Sequence, residues 1–223
     1  MVARLVAGLF AVAVLAPSVK AQTSRDAKPS AKTASAPAAP ARLHYVVAPS
    51  GNEARYRVRE QLVGVDLPND AVGVTSQIAG SILVDASGGV VRDSSKITVT
   101  LTNLKSDKDR RDNYIRRRTM ETEKFPTVEL VPTMLHGLTT KPTPGTSTVF
   151  ELMGDLTVHG VTHPTTWKVA AKADGADVVG TATTAFTFKD FGLDQPKVPV
   201  LLSVADTIKL EYDFRFTPAA AKP

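Results

Sequence analysis

The chain has 223 residues, with 27 Lys and Arg, 22 Asp and Glu, and no cysteine. The absence of cysteine excludes a disulfide framework, a cysteine nucleophile and lipid attachment through cysteine. Between residues 43 and 217 there are 20 basic and 21 acidic residues, so the net charge of +5 comes from the two ends of the chain. Non-specific nucleic-acid binding needs an excess of basic surface, so this composition excludes that class.

The N-terminal residues have the pattern of an export signal. Arg4 precedes the apolar run 5–16, and small residues follow at Val19 and Ala21. About a dozen apolar residues are too few to cross a bilayer as a helix. The pattern therefore predicts a cleaved signal peptide over 1–21, and we expect a periplasmic or secreted protein.

The segment that follows, 22–42, is rich in Ala, Pro, Ser, Thr and Lys and poor in large apolar residues. Such a composition cannot bury enough surface to offset the entropy of ordering. We predict a disordered tether over 22–42, one folded domain over 43–217 and a disordered tail over 218–223. The basic residues of the tether predict at most a weak, transient contact with an anionic membrane.

Alternation of apolar and polar residues predicts strands through most of the domain. It is clearest at 207–216, where large apolar residues alternate with charged ones. Since successive side chains of a strand point to opposite faces, one face of each strand is expected to be dry. In chain order, strands are predicted at 43–47, 53–61, 76–85, 95–104, 127–131, 148–158, 165–173, 177–189 and 205–217.

One helix and one long loop interrupt these strands. The segment 107–118 is rich in Lys, Arg and Asp and lacks Gly and Pro, which predicts a short surface helix with Ser106 as its cap. The segment 63–74 contains Pro68 and Gly73 and is predicted to be a loop across a barrel mouth. The segments 68–70 and 196–199 are expected to border the entrance to the interior.

The inward positions of the predicted strands mix aromatic with small residues. Small residues such as Gly80, Gly154, Gly180 and Ala182 could leave room for an elongated apolar guest. Equally, the glycines could mark bends and bulges in a filled core. The periodicity of the strands does not decide between these two interpretations.

Several segments together resemble the YceI family of extracytoplasmic, lipocalin-like polyisoprenoid-binding proteins. The resemblance covers 43–217, and it depends on the order and spacing of its segments more than on any one of them. The segments are Ser95–Leu104 leading into Lys105-Ser106-Asp107, Arg110–Arg116, Phe125-Pro126-Thr127, Gly154–Pro164 and Asp190-Phe191-Gly192-Leu193.

This resemblance implies an all-β fold, an eight-stranded antiparallel lipocalin-like barrel with one flanking helix, whose lumen holds a long isoprenoid or fatty chain. Many members of the family have Asn-Arg before the Asp-Phe-Gly segment, whereas this chain has Thr187-Phe188-Lys189. That departure favours a quinone or neutral lipid over a prenyl phosphate. The residues that the resemblance places on cavity-lining strands are Tyr56, Val58, Ile82, Val84, Ile97, Val99, Leu101, Leu156, Val158, Trp167, Phe186, Ile208, Leu210 and Tyr212.

Two polar motifs each have two interpretations. Arg110 and Arg111 could contact a ligand head group at the barrel mouth, since arginine suits bidentate recognition of anions. They could instead pair with the acids of the predicted helix, which we favour. His159 and His163 are four residues apart, but Gly160 and Pro164 predict a turn there, so we expect no metal site.

Two functions from different classes remain. The first is an extracytoplasmic carrier or sequestering protein for an amphiphilic lipid, with a bound isoprenoid or quinone as ligand and no required cofactor. The second is an interaction module whose filled barrel presents the 63–74 loop and the arginine-rich helix to an envelope component. No nucleophile elbow or phosphate-binding glycine loop is present in the sequence, so we expect no enzymatic activity. The oligomeric state stays open, and a homodimer is one of the options.

Overall fold

The computed structural model describes residues 42–138 and 141–219. The predicted signal peptide, all but the last residue of the predicted tether, and most of the predicted tail lie outside the described residues. Within them, eleven strand segments and one short helix form. The strands are β1 (Leu43–Val47), β2 (Glu53–Leu62), β3 (Asn69–Thr75), β4 (Ile78–Val84), β5 (Lys96–Thr100), β6 (Lys105–Ser106), β7 (Thr127–His136), β8 (Thr148–Val158), β9 (Val161–Asp174), β10 (Asp177–Thr187) and β11 (Leu201–Pro218).

Some of these segments are parts of one longer strand. Both β1 and β2 pair with β11, with Val47 opposite Phe216 and Glu53 opposite Asp213. In the same way, β3 and β4 form one long strand, and β5 and β6 form the next one. In this arrangement β4 pairs with β5 and β3 pairs with β6. Counted this way, eight antiparallel strands close into a barrel, because β1 pairs with both β4 and β11. The predicted eight-stranded fold is confirmed.

A buried asparagine holds the interruption between β1 and β2. The Asn52 side-chain amide donates a hydrogen bond to the Ala48 carbonyl (2.8 Å), and its oxygen accepts one from the Tyr212 hydroxyl (2.8 Å). The same oxygen also accepts from the Arg215 amide (3.0 Å). Since a buried amide without partners would cost about 1–3 kcal/mol, this network allows the strand to break without opening the wall.

The predicted short helix is confirmed, with its start two residues and its end one residue later than predicted. The α-helix α1 spans Asp109–Tyr114, and one π-helical turn, Ile115–Thr119, continues it. Ser106 does not cap it: the N-cap is Lys108, which makes no capping hydrogen bond. Instead, Ser106 donates its hydroxyl (2.6 Å) and its amide (2.8 Å) to the carboxylate of Asp112, which is buried. This bond ties the helix to β6.

The predicted loop over 63–74 is wrong in its second half, because β3 begins at Asn69. Asn-Asp usually signals a turn, but here Asp70 points outward and accepts hydrogen bonds from Arg57 (3.2 Å) and Arg59 (3.1 Å) on β2. These cross-strand charge pairs favour pairing over a turn. The true loop is the shorter segment 63–68.

The two faces of the strands follow the predicted alternation. On β11, Ile208, Tyr212 and Phe214 are buried inside the barrel. Between them, Lys209 and Glu211 point outward and form ion pairs on the outer surface. The inward face of this strand is therefore the inner wall of the barrel.

Candidate functional site

The barrel encloses a cavity of about 1270 Å³. Its lining includes Ser87 and Gly88 from the β4–β5 turn at one end, and Leu193 and Pro196 from the β10–β11 loop at the other. Ligand pockets for drug-sized molecules usually hold about 300–1,000 Å³. The lumen is therefore hollow along the length of the barrel and large enough for an extended guest.

All fourteen residues expected on the cavity-lining strands do line this cavity. They come from seven of the eight long strands, all except β7, and are the residues Tyr56, Val58, Ile82, Val84, Ile97, Val99, Leu101, Leu156, Val158, Trp167, Phe186, Ile208, Leu210 and Tyr212. Arg110 and Arg111 border it as well. That these side chains contact a ligand stays a prediction.

The glycines do not create the empty volume, as the sequence had suggested they could. A side chain on Gly180 would meet the Ala170 carbonyl oxygen at 2.1 Å and the Phe214 ring at 2.8 Å. A side chain on Gly80 would meet the Lys96 carbonyl oxygen at 2.0 Å. These glycines allow neighbouring groups to approach closely, so the lumen is open because the barrel is wide and not because side chains are missing.

One end of the cavity is partly closed by a short 3-10 turn, Phe188–Phe191. The turn begins with a capping box, in which the Asp190 carboxylate accepts a hydrogen bond from the Thr187 amide (2.7 Å). Phe191 is fully buried and packs edge-on against Phe186, with ring centroids 4.5 Å apart. The sequence departure at 187–189 therefore lies in the structure that shapes this end of the lumen.

A cluster of charged side chains lies at the same end. The Arg111 guanidinium donates to the Glu60 carboxylate (2.5 Å) and to Asp107, one helical turn before it. The Glu60 side chain is only 7% exposed. Glu60 and Arg111 both line the cavity. Because two carboxylates share one guanidinium, this cluster carries no net positive charge. The interpretation that the arginines pair with nearby acids fits Arg111.

Two hydroxyl groups beside this cluster have no hydrogen-bond partner within the described residues. They are the Tyr56 phenol and the Thr119 hydroxyl, both buried and both on residues that line the cavity. Burial raises the pKa of Tyr56, so it remains a neutral phenol. Buried polar groups are normally paired, so these two hydroxyls are unsatisfied polar groups on residues of the cavity wall.

The barrel matches known proteins in both sequence and structure. A profile of the YceI-like domain matches residues 45–216. The chain belongs to the YceI-like family. In sequence it is 32% identical over 113 residues to UPF0312 proteins of Pseudomonas putida strains F1 and GB-1. That match covers 47% of this chain and 55% of the relatives, so the chain spans about half the length of the curated relatives it matches.

Solved structures share the fold at low sequence identity. A polyisoprenoid binding domain from Saccharophagus degradans, implicated in plant cell wall breakdown, has a TM-score of 0.63 at 11% identity and covers 79% of this chain and 99% of that one. Burkholderia cenocepacia BcnA has a TM-score of 0.55 at 12% identity, covering 74% and 95%. The Campylobacter jejuni YCEI protein has a TM-score of 0.52 at 13% identity, covering 67% and 85%.

The sequence alone missed several residues of this YceI-like lumen. Glu60 has the same parity as Tyr56 and Val58, so the two-residue period could have shown that it faces inward. Phe214 and Phe216 belong to the alternating segment of β11 and also line the cavity. Of the two segments expected at the entrance, 196–199 contributes Pro196, Val198 and Pro199 to the lining, whereas 68–70 does not contribute.

His159 in the β8–β9 turn and His163 at the start of β9 both have structural partners. The His159 Nε2 lies 3.1 Å from the Glu121 carboxylate, and its ring packs against Phe125 with centroids 4.4 Å apart. His163 packs edge-on against Phe191. In the described ranges, no group of three or more His, Asp or Glu side chains is placed to hold a metal ion. Nor does any helix there have the length and apolar character to cross a membrane.

Proposed function

We propose that this YceI-like protein binds a long isoprenoid-type amphiphile in the barrel lumen and acts outside the cytoplasm as its carrier or sequestering protein. The observation that carries the proposal is the apolar cavity of about 1270 Å³ bounded by all eight long strands. The polyisoprenoid binding domain of Saccharophagus degradans, which has the same fold, supports this class of ligand. Export through the predicted signal peptide 1–21 is part of the proposal.

Burial of a hydrocarbon chain supplies the affinity. Removing about 300 Å² of apolar ligand surface from water would gain roughly 7 kcal/mol, before the costs of association. Since the cavity wall is formed mainly by aliphatic and aromatic side chains, this gain does not depend on any directional contact. The ligand is therefore selected by length and shape, and the protein binds it without transforming it.

The polar end of the lumen favours a neutral head group. A phosphate or carboxylate placed there would be repelled by Glu60 and Asp107, and the nearby Arg111 and Lys108 already pair with these two carboxylates. A quinone carbonyl or a prenol hydroxyl could instead accept a hydrogen bond from Tyr56 or Thr119 without that repulsion. We therefore propose a quinone or prenol as the ligand, with Arg110 at the rim of the mouth.

An aromatic substitution inside the barrel tests whether the lumen is the binding site. Ala182 on β10 is buried and lines the cavity, whereas Ala185 on the same strand is exposed on the outer face. A182F should abolish displacement of a naphthylamine probe by quinones, prenols or fatty acids, while A185F should bind like the original protein. In a hollow lumen both variants should unfold at similar urea concentrations. Overpacking of a filled core would instead cost A182F about 1–3 kcal/mol, and that result would contradict the proposal.

The head-group proposal has its own test. Tyr56→Phe removes one hydroxyl and leaves the ring that packs over Gly73. If the phenol donates to a quinone carbonyl, the loss of about 0.5–1.5 kcal/mol should weaken quinone binding roughly 2- to 10-fold and leave binding of a plain hydrocarbon unchanged. Equal losses for both ligands would show that Tyr56 does not contact the head group.

A further inference from the structure

Exposed apolar side chains surround part of the cavity mouth. We define the apolar lip as Val63, Val65, Leu67, Val200 and Leu202, which lie in the β2–β3 loop and at the start of β11. Their exposed fractions are 56%, 44%, 74%, 51% and 65%. A monomeric protein rarely exposes such a group together without a binding function.

The two halves of the apolar lip are fixed to each other. The Val63 amide donates a hydrogen bond to the Val200 carbonyl (3.0 Å), and Leu62 is paired with Leu201. The Gln61 side chain donates to the Val65 carbonyl and holds the loop against β2. A register shift after Leu201 leaves Leu202 outside the pairing with β2. The apolar side chains are therefore presented on a hydrogen-bonded frame.

The lip joins the lumen to the outside. Val63, Val65 and Val200 line the cavity, whereas Leu67 and Leu202 do not and extend away from it. A chain leaving the lumen across this edge would stay in contact with apolar surface. Passage of a lipid across the lip rests on the proposed function, whereas the exposure and the charges around the lip do not.

Basic side chains lie beside the same mouth. Between Lys108 and Arg118 there are six basic residues and two acidic ones. Lys108 and Arg110 line the mouth of the cavity, and the Arg111–Glu60 contact joins α1 to the end of β2, three residues before the lip begins. In the part of the chain that the structure describes, the exposed Arg110, Arg117 and Arg118 form no ion pair. Lys108 and Arg110, at the start of this segment, therefore place positive charge at the same mouth as the apolar lip.

We infer that the apolar lip and the adjoining basic segment form a docking surface for an anionic lipid bilayer. Apolar side chains flanked by Lys and Arg are the combination that binds the boundary between head groups and acyl chains. Docking in this orientation places the cavity mouth against the bilayer, so a lipid passes between membrane and lumen without crossing water. The exposed patch of Met134, Val149 and Met153 on the barrel wall lacks both the cavity and the basic segment.

Vesicle sedimentation with paired variants of the full mature chain tests the inference. The lip variant is L67S/L202S, which leaves the lining of the cavity unchanged. Its matched control is M134S/V149S on the wall, where the exposed fractions are 52% and 71%. On vesicles of phosphatidylcholine with phosphatidylglycerol, the lip variant should bind at least about tenfold more weakly, because two leucines no longer insert. The wall variant should bind within about twofold of the original protein.

A second pair tests the charges. K108Q/R110Q, which removes the two exposed basic residues at the mouth, should weaken binding about fivefold for each charge removed on the anionic vesicles, and should have no effect on phosphatidylcholine alone. Its control is K168Q/K172Q, which removes two exposed basic residues from β9. All variants keep the same N-terminal tether, so differences among them report on the barrel. Equal losses for lip and wall variants, or absence of binding by the original protein, would overturn the inference.

The same variants separate this inference from the proposed function. Probe uptake into the lumen, measured without vesicles, should be unchanged in L67S/L202S and lost in A182F, whereas A182F should still bind vesicles. If A182F keeps its probe uptake, the lumen proposal fails and the docking surface stands. A lip that captures a purified protein but no vesicle would overturn membrane docking in favour of a protein interface.

Discussion

The two faces of β11 contribute to the protein in different ways. On the inner face, Tyr212, Phe214 and Phe216 are buried and pack against one another, with ring centroids 5.6–6.4 Å apart. On the outer face, Glu211 and Asp213 form ion pairs with Arg55 of the neighbouring strand. Burial of the inner face therefore supplies most of the stability, while the charges of the outer face mainly determine which strands are neighbours.

The side chains on the inner face of β11 are of two kinds, those packed in the core and those that face the open lumen. Phe214 is 8% exposed and fills the space above Gly180, so it is a packed core residue. Leu210, four residues before Phe214 on the same face of β11, is only partly buried and faces the open lumen. A barrel that must stay hollow therefore concentrates its packing at some positions and leaves others to be covered by a guest.

The largest effect is expected from adjacent residues on opposite faces. Phe214→Ala should destabilise the domain by about 3–5 kcal/mol, since it removes a buried ring from between Tyr212 and Phe216. Asp213→Ala should cost at most about 1 kcal/mol, because its ion pair with Arg55 is open to solvent. Urea unfolding of both variants measures the difference. Similar costs would mean that the inner face does not supply the stability.

A smaller effect is expected on the outer face itself. The Glu211 carboxylate is 14% exposed and contacts Lys209 (2.9 Å), Arg57 (3.3 Å) and Arg55 (3.4 Å). Glu211→Gln should cost about 1.5–2 kcal/mol, since it weakens several charge-assisted bonds at once. Its control is Glu129→Gln, a single exposed pair with Lys96 that should cost under about 1 kcal/mol. Equal costs for the two variants would mean that Glu211 stabilises the protein no more than a single exposed ion pair does.

The smallest effect concerns pH. Hydrogen bonds from Lys209 and then Arg57 lower the pKa of Glu211 from 4.5 to about 2. A carboxylate with a depressed folded pKa stabilises the protein fully above its unfolded value, and the contribution is lost as the pH falls toward the folded value. Stability should therefore decline between pH 4.5 and about 2, and less steeply in Glu211→Gln. Parallel pH profiles for the two proteins would contradict this assignment.

Sequence reasoning succeeded where a two-residue period applies. The alternation placed Tyr56 and Val58 on one face of a strand, the family resemblance made that face a cavity wall, and the same period would have added Glu60 to it. It could not decide whether the lumen is hollow, since Gly180 is covered by Phe214 through the register of β10 against β11, which the alternation within one strand does not give. The apolar lip was missed because Val63 and Val200 are brought together by the pairing of β2 with β11, which no local pattern encodes.

Native mass spectrometry of the mature protein purified from its own host tests the central claim most directly. A lumen of about 1270 Å³ that binds an isoprenoid-type lipid should retain a non-covalent adduct whose extracted mass is that of a long-chain quinone or prenol. The adduct should be absent from A182F and present in A185F. An original protein that carries no adduct, and that takes up none when mixed with these lipids, would contradict the account.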